Sequence, residues 1–205
     1  MFKTGAAAIV IAFVLQLQPS PPRLDTKEVI SYLIEDGKGV PGYRDTDREL
    51  VKLALDAWSR ESEGKLKFAE AGPRDAALIR FRWISPNEGL YGETQRISVR
   101  GKVGAIVNVM PQVSVQGEPV ASRATSDPLL RDTIVYLTCV HELGHAVGLP
   151  HTRRFEDIMY YFGYGGDIVD YFMRYRSRLQ SRADIRKYSG LSGADVQALR
   201  AVYKD

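Results

Sequence analysis

The segment HELGHAVGLPH, residues 141–151, holds all three histidines of this 205-residue chain. Their spacing leaves few local folds open. His141 and His145 are four residues apart, a spacing that an α-helix stacks on one face. Asp127 and Pro128 mark where that helix begins, an N-cap followed by a proline at the first helical position. From Leu129 to Val147 the chain is rich in apolar residues and has no proline. Gly148 stands where the helix must stop, because glycine takes the left-handed conformation there without steric cost. Pro150 forbids helical continuation, so His151 arrives from a returning segment. The motif thus calls for a helix, a tight exit and a chain that doubles back.

Two imidazoles on one helical face, with Glu142 beside the first, form the H-E-x-x-H pattern of zinc hydrolases. His151 adds a third nitrogen. Three protein ligands leave the fourth tetrahedral position of zinc open to water, the arrangement of a catalytic ion. The extended spacing favours this shared ion over three unrelated histidines on an amphipathic helix and its exit loop. Glu142 is then the expected general base, a group for which a purely structural site has no use.

At every defined position the segment matches H-E-x-x-H-x-x-G-x-x-H, and in this the chain resembles the metzincin metallopeptidases. The resemblance implies an α+β, zincin-like domain of two lobes. A mixed twisted sheet would carry the active-site helix, with a smaller helical lobe at the C-terminus. Residues 24–205 would form the catalytic domain, the upper lobe about 24–148 and the lower about 149–205. It also implies a methionine turn beneath the metal, for which EDIMYYF offers Met159. DRELVKLALDAWSRESEGKLKFAEA and SGLSGADVQALRAVY are similar to the first and last helical regions of the matrixin branch and its bacterial relatives, and Thr152 follows the matrixin habit after the third histidine.

The resemblance implies a zinc-dependent endopeptidase acting on protein or peptide substrates. Zinc would be held by His141, His145 and His151, with Glu142 activating the water. A catalytically silent zinc-binding or adhesion module and a non-peptide amide hydrolase are the alternatives. Three departures from matrixins stand out. No histidine is left for a second, structural zinc, so one catalytic ion is expected, with calcium left open. No cysteine precedes the catalytic helix, so the matrixin cysteine switch is not expected. Tyr161 replaces the usual proline two residues after Met159. Astacins and serralysins carry a tyrosine there that can reach the metal; the alternative is that Tyr161 simply packs in the lower lobe.

Composition adds boundaries. Apolar content of 44% and charged content of 26% are ordinary globular values, and a net charge of +3 gives no argument for nucleic acid. The single cysteine, Cys139, cannot form an internal disulfide. Lys3 followed by the apolar run Gly5–Leu17 fits the core of a secretory signal and is short for a membrane span. Residues 1–20 are therefore expected to be a signal peptide or an N-terminal anchor, and the protein a secreted, extracellular or periplasmic monomer. Membrane contact is expected only if that segment stays uncleaved.

The remaining pattern supplies elements. KEVISYLIEDG, LKFAE, ALIRFRWIS and GAIVNVM read as strands. Thr46 and Glu49 read as a capping box for a helix burying Leu50, Leu53, Ala54, Ala57 and Trp58. Residues 85–101 read as a loop with a short edge strand, expected to line the cleft. Residues 171–187 carry six basic residues against one acid, either a solvated face or a source of preference for acidic substrates or a membrane surface.

Overall fold

Ile79, Phe81 and Trp83 alternate with Arg80 and Arg82, and in a computed structural model the apolar three are buried in a strand, Ile79–Trp83. The structure describes residues 23–72, 74–86 and 91–204. The expected signal or anchor, residues 1–20, lies outside the described residues. Among those described, no helix is long and apolar enough to cross a membrane.

Five strands form one mixed sheet: β1 (Ile30–Ile34), β2 (Phe68–Glu70), β3 (Ile79–Trp83), β4 (Gly92–Val99) and β5 (Lys102–Val109), in the order β2-β1-β3-β5-β4. All neighbours are parallel except β4, which runs antiparallel to β5 at one edge. The region expected as a loop with a short edge strand thus holds an edge strand of eight residues. Its sequence hides this because an edge strand buries little: Glu93, Gln95 and Ser98 are exposed. What holds it is the ladder to β5 and a two-residue turn. Arg100 and Gly101 both have positive φ, 52° and 78°, as a type I′ hairpin requires.

The helices are α1 (Asp47–Glu61), α2 (Val120–Ser126), α3 (Pro128–Ala146), α4 (Ile168–Arg176) and α5 (Gly193–Val202). Helix α3 runs through the core and is buried nearly all round, against α1 on one side and β4 and β5 on another. Its start is as the sequence signals: the Asp127 carboxylate accepts from the backbone N–H groups of Leu129 and Leu130, with Pro128 in the first turn. Helix α1 buries Leu50, Leu53, Ala54, Ala57 and Trp58, and the Trp58 indole N–H donates to the Val140 carbonyl at 3.0 Å.

The capping box expected at Thr46 does not form. Thr46 lies in the helical region of backbone space and its side chain makes no cap bond. The turn before α1 is organised instead by Asp47, which accepts from the Arg44 backbone N–H and is fully buried against the Arg131 guanidinium. A buried ion pair outweighs a hydroxyl cap, since stranding either charge would cost several kcal/mol, ~3–5.

The basic run is largely spent on the fold. Arg176 pairs with Asp127 at 2.8 Å, Arg182 with Asp132, Arg186 with Glu49 at 3.3 Å and Lys187 with Asp184 at 2.6 Å. Arg174 lies over the Tyr171 and Phe155 rings, and Arg178 over Tyr188. These contacts tie the C-terminal segment to α1 and α3.

Candidate active site

Helix α3 ends where the chain must turn. Gly148 has φ 106°, and its N–H and that of Leu149 bond back to the carbonyls of His145 and Gly144. The returning segment brings His151 beside the helix. Its Nε2 lies 3.3 Å from His141 Nε2 and 3.0 Å from His145 Nε2. Four ligands around zinc at ~2.0–2.1 Å imply nitrogens ~3.3 Å apart, close to the separation of His151 from each of the other two.

Their protonation fits too. His141 Nδ1 lies 2.6 Å from the Ile158 carbonyl and His145 Nδ1 lies 2.9 Å from the Leu149 carbonyl. A carbonyl only accepts, so each Nδ1 carries the proton and each Nε2 presents a lone pair. Burial lowers the His141 pKa to about 3 and that of His145 to about 4, and lowers that of His151. All three rings are neutral at neutral pH. Neutral lone pairs crowded together are a cation site, and these three nitrogens could hold one metal ion.

The expected methionine turn is present under this cluster. Met159 is buried, and its sulfur occupies the space beside Gly144, where an added Cβ would come within 2.3 Å of Sδ. A side chain at position 144 would have to displace the Met159 sulfur. The turn is pinned from the C-terminus: Asp195 of α5 accepts from the backbone N–H groups of Ile158, at 2.7 Å, and Met159, at 3.4 Å. The Ile158 carbonyl in turn orients His141, so a residue of the last helix acts on the first histidine of the cluster. Burial raises the Asp195 pKa against those hydrogen bonds.

Glu142 projects toward β4. Thr94 Oγ1 lies 2.9 Å from its Oε2 and 2.7 Å from its main-chain oxygen. Burial pushes its pKa up to about 7, with the Thr94 hydrogen bond opposing and the Glu93 charge adding. Beside it the Arg96 guanidinium donates to the carbonyls of His145 and, at 2.8 Å, Ala146. It caps the C-terminal end of α3, where cations are favoured.

A cleft of about 420 Å³ is lined by the three histidines, Glu142, residues 91–94 of the β4 side, and Leu137, Phe162, Tyr171 and Phe172. Residues 85–101 thus contribute to the cleft as expected, through Tyr91, Gly92, Glu93 and Thr94. The basic run contributes its two leading aromatics, Tyr171 and Phe172, while its charged residues are engaged elsewhere. Tyr161 also lines the cleft: it is 48% exposed, and its ring lies over His151 with centroids 4.9 Å apart. Tyr160 is buried and donates to the Gly165 carbonyl. Sequence reasoning missed Thr94, Arg96 and Asp195, whose importance rests on contacts 48, 49 and 37 residues away in the chain.

A mixed sheet with an antiparallel edge strand, over a helix that ends in a three-histidine cluster above a methionine turn, defines a zinc metallopeptidase architecture. The family model for matrixin, peptidase family M10, matches residues 24–167, and the chain belongs to that family. Among solved structures, archaemetzincin from Methanopyrus kandleri is similar at 14% identity with a TM-score of 0.47, over 88% of this chain and 97% of that one. A search of curated proteins finds no match.

Proposed function

We propose that this chain is an endopeptidase in which His141, His145 and His151 hold one zinc ion and Glu142 is the general base. The observation that carries this reading is the convergence of three neutral Nε2 atoms beside Glu142 on the floor of an open cleft. Zinc held there supplies Lewis acidity, lowering the pKa of a water and polarising a carbonyl. The chain's own groups do the rest. Edge strand β4 offers main-chain donors and acceptors along the cleft, which an extended peptide pairs with regardless of its sequence. The apolar wall of Leu137, Phe162 and Phe172 receives a substrate side chain. Glu142 takes a proton from the attacking water and delivers it to the leaving amine, so that no net proton is lost. Tyr161, at the mouth beside His151, donates a hydrogen bond to the carbonyl oxygen as it gains negative charge. The apolar run at residues 5–17 supports export.

Glu142→Gln tests the reading, because it keeps the side chain's size and removes the proton acceptor. Zinc content should stay at one ion per chain while casein hydrolysis falls by at least ~10²–10⁴. Near-normal turnover by this variant, or no chelator-sensitive hydrolysis by the wild type, sinks the proposal. Tyr161→Phe should lower kcat with KM and zinc content unchanged, and an unchanged kcat removes the phenol from the reaction.

A further inference from the structure

Gly92 and Thr94 are two residues apart on β4, so they share one face of the strand, and that face meets Glu142. A Cβ on Gly92 would come within 2.4 Å of Glu142 Oε1. The carboxylate therefore occupies the space that a side chain at position 92 would take. On the other oxygen, Thr94 Oγ1 lies 2.9 Å from Oε2 and also 2.7 Å from the Glu142 main-chain oxygen. A hydroxyl has one proton to give and lone pairs to accept with. The Thr94 hydroxyl thus joins the Glu142 side chain to the Glu142 main chain and holds the carboxylate from one side, while the open space at Gly92 receives it on the other.

We propose that Thr94 is a positioning residue for hydrolysis, its hydroxyl holding the Glu142 carboxylate in the space that Gly92 leaves open. This rests on the reading of Glu142 as general base. A carboxylate free to rotate spends part of its time out of reach of the water it must act on, and holding it in one geometry avoids that loss. An apolar side chain at position 94 would leave Oε2 without the Thr94 hydroxyl. Serine keeps the hydroxyl and loses only a methyl group.

The test uses the full chain loaded with zinc, as wild type, Thr94→Val, Thr94→Ser, Glu142→Gln, Glu142→Ala and the Thr94→Val, Glu142→Ala double variant, with metal content and melting temperature measured for each. On an internally quenched peptide, Thr94→Val should lower kcat about tenfold or more with KM nearly unchanged, the loss expected for one hydrogen bond to a charged group. Thr94→Ser should recover most of it. A readout independent of turnover is the melting temperature in a double-mutant cycle: Thr94→Val should lower it less in a Glu142→Ala background than in the wild type. Wild-type kcat in Thr94→Val, a loss confined to KM, a serine variant as poor as valine, or equal melting shifts in the two backgrounds overturns the role of Thr94. If Glu142→Gln itself turns over normally, the general-base reading has failed and the proposal falls with it, an outcome distinct from a failure of Thr94 alone.

Discussion

Replacing Gly144 with alanine should destabilise the protein, although the same change in an ordinary helix would stabilise it. In a helix interior alanine is favoured over glycine by ~0.8–1.0 kcal/mol. Here the new Cβ would come within 2.3 Å of Met159 Sδ and 3.0 Å of Trp58 Cζ2. Met159 and Trp58 are both buried, so neither can yield into solvent, and the backbone of the methionine turn is held by Asp195. Overpacking of such a core costs ~1–3 kcal/mol, and contacts this short place the position at the upper end. The net loss is then about 1–2 kcal/mol, a fall of ~2–8 °C in melting temperature for a chain of this size. Because the strained turn carries the Ile158 carbonyl that orients His141, zinc affinity should fall as well, by ~10-fold or more. Differential scanning calorimetry with and without zinc, with metal affinity from competition against a chelating dye, measures both. In a Met159→Ala background, with the sulfur gone, Gly144→Ala should be less harmful. A melting temperature unchanged or raised by Gly144→Ala alone refutes the packing argument.

Arg96→Met should remove both guanidinium hydrogen bonds from the end of α3 and lower the melting temperature by several degrees, on the order of 2–3 kcal/mol; Arg96→Lys should restore only part, since an ammonium cannot reproduce the planar fork. Equal stability of the methionine variant would show that water serves those carbonyls as well. The Asp184 carboxyl is held down at about 2, below its ordinary 3.8, chiefly by the Lys187 ammonium and the Ser181 backbone N–H. Its ionised form is favoured in the folded chain, so its stabilisation is present above pH ~4 and is lost as pH falls through about 2. The melting-temperature difference between wild type and Asp184→Asn should therefore be constant near neutrality and vanish toward pH 2, and a difference that widens on acidification refutes the assignment.

The three-histidine segment was legible because its constraints are local. Helical spacing, a glycine exit and a proline stop act within eleven residues, so His141, Glu142, His145 and His151 could be named and placed from order alone. Met159 was legible through resemblance, and the buried faces of α1 and β3 through their periodicity. Local signals failed where a distant partner overrode them. Thr46 and Glu49 carry a capping pattern, yet the entry to α1 follows Asp47, because a buried pair with Arg131 of α3 is worth more than a hydroxyl cap. The residues of β4 have no strong strand pattern, because an edge strand is held by the ladder of its neighbour rather than by burying its own side chains. Six basic residues in 171–187 suggested a charged surface, but charge says nothing of where the counter-charges lie, and these lie on α1, at the start of α3 and within the segment itself. The tertiary structure alone brought Thr94 to Glu142, Arg96 to the end of α3 and Asp195 to the methionine turn. Each joins elements far apart in the chain, and a hydrogen bond between such elements leaves no periodic trace in sequence; it exists only once the sheet, the central helix and the last helix have closed around the three histidines.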